Sequence, residues 1–190
     1  MAHESIRIIQ DEHLALAAML KSLTRMVDRD PGSEAELFFD VMRAMLFYID
    51  EFPTRLHHTK ETELLFPRVA LLAPETAELI ARLDQDHLKG ESAVRELQHL
   101  LLAWELVGDS RRVAFNDALK LYLGFYVEHM RLEETVILPA ALRVLNAADW
   151  KELDAAFAKN CDPLSGKYPR DPLFDRLFTR IVMQARPFLN

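Results

Sequence analysis

Two short segments of this 190-residue chain could perform the same chemistry. His57-x-x-x-Glu61 is followed by Pro67, and His129-x-x-x-Glu133 by Pro139, each proline ten residues beyond its histidine. A lone histidine in an acidic setting precedes each copy: Asp11-Glu12-His13 before the first, Asp84-Gln85-Asp86-His87 before the second. The spacings nearly match, with 44 residues from His13 to His57 and 42 from His87 to His129. The chain therefore reads as an internal duplication, and a repeat of this length fits one helix hairpin.

Residues i and i+4 of an α-helix share a face, with Cβ atoms about 5–6 Å apart. Each His-x-x-x-Glu pair can thus present an imidazole and a carboxylate to one point. With the two lone histidines added, the candidate metal ligands are His13, His57, Glu61, His87, His129 and Glu133. This donor set suits iron first, then manganese, zinc or cobalt, rather than oxygen-seeking calcium or magnesium. Six ligands exceed the needs of one tetrahedral ion, so two ions bridged by the carboxylates are the economical solution. Two dications outweigh two carboxylates, which leaves charge for a bridging hydroxide or oxide and positions open to a small ligand. The competing reading is structural, with buried histidines bonded into the core and His-x-x-x-Glu as a weak side-chain pair. Repetition of the pattern across four helices argues against it.

Other residues near the set have weaker readings. His58, next to a candidate ligand, could be a supplementary ligand, orient Glu61 from behind, or line a pocket mouth; the orienting role is favoured. His99 lies about 120° around its helix from His87 and reads as a surface side chain. His3 falls in a terminus expected to fray. Gly90 serves either close helix packing or space for a diatomic molecule, and Phe125 and Tyr122 read as core aromatics. Tyr122 and Tyr126 could still bring a hydroxyl near a bound ligand.

The elements that must position these residues are helices. Ile6, Ile9, His13, Leu16, Leu20, Leu23 and Val27 step by three and four along one stripe. Asp30-Pro31-Gly32-Ser33 ends that helix, and Ser33 with Glu36 forms a candidate capping box for the next. The second helix carries Phe38, Val41, Met45, Ile49 and Phe52, with a kink expected at Pro53. The third reads Ile80, Leu83, His87, Gly90, Val94, Leu97, Leu101 and Trp104 before Gly108-Asp109-Ser110. The fourth reads Phe115, Ala118, Tyr122, Phe125, His129, Leu132 and Val136, and runs past Pro139 to about Asn146. Short connections favour an up-down-up-down four-helix bundle over residues 1–146. Residues 147–190 read as a short C-terminal helical extension. Trp150, Leu153 and Phe157 mark a fifth helix, and a Pro-rich stretch precedes a last helix capped by Asp171, with Pro172 at its start and Leu173, Leu177, Ile181 and Met183 along it. This tail is expected on the outside of the bundle or against a second subunit.

Composition narrows the class. Half of the residues are hydrophobic, enough for one full core. A formal charge of -7 argues against nucleic acid or an anionic membrane as partner. No secretory signal and no membrane span is expected. The single cysteine, Cys161, excludes an internal disulfide and any Cys-x-x-Cys site, so a cytoplasmic protein is the expectation.

Asp11-Glu12-His13, His57-His58-Thr59-Lys60-Glu61 with Leu64-Leu65-Phe66-Pro67, Asp86-His87, and His129 through Glu133-Glu134 to Leu138-Pro139 together resemble the hemerythrin family. The match is to its bacterial HHE cation-binding branch and spans about residues 1–146. The resemblance implies an all-α four-helix bundle around two iron ions in a non-haem di-iron site, though zinc or manganese could occupy it in purified protein. It also implies His13, His57, His87 and His129 as terminal ligands, and Glu61 and Glu133 as bridging carboxylates. Oxygen-carrying members have a His-x-x-x-His pair on the third helix, where this chain has Glu91 four residues after His87. The site therefore looks more like those of iron-centre repair proteins and iron or oxygen sensors, but the chain lacks the cysteine-bearing amino-terminal segment of the repair branch. The expected function is sensing, binding or scavenging of dioxygen, nitric oxide or a related oxidant, a binding role rather than an enzymatic one. Alternatives are a metal-storage or metal-sensing module, a di-iron oxidase or peroxidase, and an iron-centre repair protein. A homodimer is also an open expectation.

Overall fold

Stripes spaced at three and four residues bury one face of each helix, and the computed structural model of the chain follows them closely. It describes residues 3–29, 31–160, 162, 164 and 175–189. Among these, all regular structure is helical and there is no strand. No described helix is long and apolar enough to cross a membrane.

Helix α1 spans Glu4–Val27 and α2 spans Ala35–Phe52. A continuous rod extends α2 through a short turn α3, His58–Lys60, and α4, Phe66–Leu72. Helix α5 covers Ala77–Val107 and α6 covers Arg112–Leu132, which continues into α7, Leu138–Val144. Every residue named on the α1, α2 and α5 stripes is buried. Helix α1 packs on α2 and α6, and α5 packs on the same two neighbours. Gly108 ends α5 at φ +100°, a conformation that side-chain-bearing residues rarely adopt.

Three wide, π-helical turns interrupt the rods: Pro53–His57, Glu61–Leu65 and Glu133–Ile137. Where a kink was expected at Pro53, such a turn begins, and the later two each end two residues before Pro67 or Pro139. They alter the buried face. In an unbroken α-helix, three steps of four residues drift about 120° around the axis. Here His57, Glu61, Leu65 and Val69 are all buried, as are His129, Glu133, Ile137 and Ala141. A turn closed by i→i+5 bonds holds more residues, which cancels that drift. Val136, expected on the stripe, is consequently exposed, and Ile137 takes its place.

Two apolar clusters result. One holds Leu16–Val27 side chains of α1, the α2 stripe, and Val94, Leu97, Leu101, Trp104, Phe115 and Tyr126. The other holds Ile6 and Ile9, Leu65 and Val69, Ile80 and Leu83, and Ile137 and Ala141. Each of the six candidate ligands lies in sequence between residues of one cluster and residues of the other, so the polar layer is enclosed by apolar side chains on both sides.

Several local expectations change. Ser33 does not cap α2; it lies within a single tight turn, Gly32–Glu34, and the N-cap residue Glu34 makes no side-chain capping bond. Asp30, Cys161, Pro172, Asp171 and Leu173 lie outside the described residues. His3 does not fray but stacks on Trp150 with ring centroids 3.9 Å apart. Helix α7 ends at Val144, because Asn146 caps the next helix in a reciprocal box with Asp149. That helix, α8, spans Ala147–Phe157 and buries Trp150, Leu153 and Phe157. It packs against α1. The last segments, α9 (Asp175–Thr179), a wide turn Arg180–Gln184 and α10 (Arg186–Leu189), lie against α2 and α1, with Ile181 and Phe188 buried and Met183 exposed.

Helix α8 also finishes α1. Ser5 donates both its backbone N–H (2.8 Å) and its hydroxyl (2.6 Å) to Asp154 Oδ1, so the cap of one helix comes from another. Asp154→Ala leaves the buried Ser5 without these acceptors. It is expected to lower unfolding free energy by about 1–2 kcal/mol in urea titrations, with metal content unchanged.

Candidate metal centre

The six expected ligands converge. His57 Nε2 lies 3.0 Å from Glu61 Oε1, and His129 Nε2 lies 3.0 Å from Glu133 Oε1, as the i, i+4 spacing requires. Across the helices, His13 Nε2 is 3.2 Å from His57 Nε2 and 3.2 Å from Glu133 Oε2. In the same way, His87 Nε2 is 3.1 Å from His129 Nε2 and 3.5 Å from Glu61 Oε2. Two four-residue groups therefore exist, one of His13, His57, Glu61 and Glu133, the other of Glu61, His87, His129 and Glu133. Each glutamate offers one oxygen to each group. All six side chains are buried.

The outer partners of the imidazoles decide where their lone pairs point. His57 Nδ1 faces Glu12 Oε2 at 2.7 Å, and His13 Nδ1 faces Glu134 Oε1 at 2.8 Å; a carboxylate accepts, so each Nδ1 carries the proton. His87 Nδ1 lies 3.1 Å from Thr62 Oγ1, whose own proton goes to Asp84 Oδ1 at 2.7 Å, so Nδ1 donates there too. Three Nε2 lone pairs are thereby turned inward. His129 Nδ1 is buried with no hydrogen-bond partner among the described residues. Among the described residues, no hydrogen bond of good geometry reaches the four oxygens of Glu61 and Glu133, although imidazole nitrogens approach them closely. Lone pairs facing lone pairs at 3.0–3.5 Å repel unless positive charge lies between them.

The metal-free electrostatics make the same demand. Burial alone would lower the pKa of His57, but the Glu61 charge and the Glu12 hydrogen bond outweigh it and raise it well above the ordinary histidine value. Burial opposes charge on His87 as well, yet Glu133 and Glu61 lift it to about 9. For the carboxylates, burial pushes upward, and for Glu61 the Glu133 charge adds to it. Nearby imidazoles still hold Glu61 below and Glu133 well below the usual range. Protons on the histidines stand in for cations. The residues fit a metal: donors bound at about 2.1 Å and at right angles to each other lie about 3 Å apart, close to the separations found here.

The outer partners were the part of the site that the sequence reading missed. Neighbouring residues on a helix diverge by about 100°, so Glu12 serves His57 on another rod rather than its own neighbour His13. Glu134, beside Glu133, likewise serves His13 on α1. Adjacency to a ligand was the available signal. Asn160 had none: from just beyond α8 its amide donates to Glu12 Oε2 at 2.9 Å and accepts from Lys60 Nζ. Asp162, also buried, accepts from Tyr48 at 2.7 Å. The tail thus does not sit wholly on the outside, because Asn160 reaches the acceptor behind His57.

His58 is buried, and burial followed by the neighbouring His87, His57 and His129 holds its pKa well below the ordinary value. Gly90 leaves room for Tyr126: an added Cβ would come within 2.9 Å of Tyr126 Cζ. Close packing is therefore the role of that glycine. His99 is exposed, as expected. A cavity of about 10 Å³, close to the space of one water, lies beside the centre and is lined by Glu12, His13, His57, His58, Tyr126 and His129 among others.

Comparison with curated proteins gives no match. The model of the hemerythrin HHE cation-binding domain matches residues 4–141, the stretch that carries all six converging side chains and leaves α8 and the tail outside. With that match over most of its length, the chain belongs to the hemerythrin HHE cation-binding family.

Proposed function

We propose that this chain is a non-haem di-iron protein that binds dioxygen, nitric oxide or a related oxidant, as a sensor or scavenger. The observation that carries the reading is the eight inward donor atoms, four imidazole Nε2 and four carboxylate oxygens, in two sets that share both glutamates. His13 and His57 would be terminal ligands of one ion, His87 and His129 of the other, with Glu61 and Glu133 bridging. Bound iron would supply redox capacity and affinity for a diatomic molecule. The protein's part is to fix the imidazole tautomers through Glu12, Glu134 and Thr62 and to exclude bulk water with two apolar clusters. The cavity of about 10 Å³ favours a small ligand over an organic substrate. Alternation of the clusters along successive rods supports the up-down-up-down order, and we place the bundle at residues 1–146 with 147–190 as its extension.

Protein purified without a histidine tag and loaded with ferrous iron should hold two irons per chain by elemental analysis. Its absorption spectrum should change on adding nitric oxide or oxygen. An unchanged spectrum with all of these ligands rejects the oxidant-binding reading, and failure to take up iron rejects the di-iron one.

Removing Glu12 frees the imidazole of His57 to rotate. Glu12→Ala is expected to weaken metal binding about 10–100-fold in competition with a chelator, while helicity stays the same.

Without metal, stability should depend on pH in a defined window. The folded-state pKa of His57 and His87 exceeds the unfolded value near 6.5, so the stabilising contribution of each is complete below that pH and is lost as pH rises through its own raised folded value, about 9 for His87. Chelator-treated protein should lose on the order of 2 kcal/mol between pH 6.5 and 9.5 in denaturant titrations. Metal-loaded protein should show little of this loss, because a bound ion replaces the protons.

A further inference from the structure

Four nearly parallel rings form a column beside the centre. Tyr126 lies 5.9 Å from His58 at 15°, His58 lies 4.1 Å from His87 at 12°, and His87 lies 5.6 Å from Phe66 at 12°. Gly90 admits Tyr126 against α5 and so closes one end of the column. His58 is held between two flat neighbours.

This arrangement separates His58 from the ligands. Its nearest ligand atom comes within 4.8 Å of those of His87 and His129, which by distance alone would make a three-histidine group. An imidazole, however, binds an ion along a lone pair in the plane of its ring. Stacked rings have parallel planes, so an ion in line with His87 Nε2 lies off the plane of His58. Direction therefore overrides proximity, and the stacking excludes His58 from the ion that His87 serves.

What remains is a buried imidazole whose Nδ1 has no hydrogen-bond partner among the described residues, on the wall of the small cavity that His13, His57 and His129 also line. An unsatisfied buried polar atom is costly, so in a native fold Nδ1 is met by a water or by a ligand that takes that water's place in the cavity. We propose that His58 is the hydrogen-bonding group for a small ligand, an anion or diatomic molecule, held in this cavity, and that it is not a metal ligand. The proposal rests on the dinuclear reading above. A neutral imidazole offers one donor and one acceptor, which suits a ligand with a terminal lone pair or a proton.

Azide is a suitable probe, since it is small and anionic and its stretching band reports hydrogen bonding. His58→Phe keeps a ring in the column but removes both nitrogens, whereas His58→Gln gives up the stack and keeps a donor and an acceptor. Both variants should retain two irons per chain. Azide should bind five- to fifty-fold more weakly to His58→Phe, with its stretching band shifted from the wild-type position. His58→Gln should recover at least part of that affinity. Loss of iron from folded His58→Phe or His58→Gln would make His58 a ligand and overturn the proposal. Unchanged azide affinity and band position in both variants would make it a spacer and overturn it equally. Absence of iron from the wild type would instead defeat the dinuclear reading itself.

Discussion

The centre of this protein is a concentration of unshared electron pairs in an apolar surround. Four imidazole nitrogens and four carboxylate oxygens meet at about 3 Å spacings. Apolar residues flank them on every rod. In such a medium, uncompensated like charge is costly enough to prevent ionisation or folding. The chain without metal answers with raised histidine pKa values and depressed carboxylate ones. A cation answers the same demand more completely, which is why cation binding and the stability of the fold are one problem here.

Keeping two ligands and the apolar anchors beyond them on a single face of one rod requires a departure from regular helix. The wide turns at Glu61–Leu65 and Glu133–Ile137 occur at equivalent places in the two halves, each ahead of a proline. Proline lacks the N–H needed to continue regular bonding, and the wider turn accommodates that loss. The functional consequence is a straight run of buried positions at intervals of four, from His57 to Val69 and from His129 to Ala141. Ligand and apolar anchor thereby stay on the same face as the rod passes from one apolar cluster to the other.

The duplication is not perfect, and its asymmetry is informative. His57 is backed by Glu12 and, through it, by Asn160 of the extension, whereas His129 has no outer partner at Nδ1 among the described residues. His58 has no counterpart in the second copy, where Met130 occupies the equivalent place. The two halves of the site therefore differ in the outer support of their imidazoles and in the polar groups facing the cavity.

Much of this was legible along the chain. The six candidate ligands, the burial stripes of α1, α2 and α5, the breaks at Gly108 and near Pro31, and the fifth helix at Trp150–Phe157 all follow from local periodicity and turn chemistry, which one strand of sequence carries in full. Val136 and Ser33 were misplaced because a wide turn and a tight one change the angle per residue, and a strictly 3.6-residue pattern contains no sign of either. Which imidazoles share a group, which carboxylates orient them, that Asn160 reaches Glu12 from 148 residues away, and that His58 stacks on His87 were decided only by the tertiary structure. The physical reason is that these contacts depend on the rotation and axial offset of one helix against another. Those quantities are set by the summed packing of both clusters and by no single residue spacing.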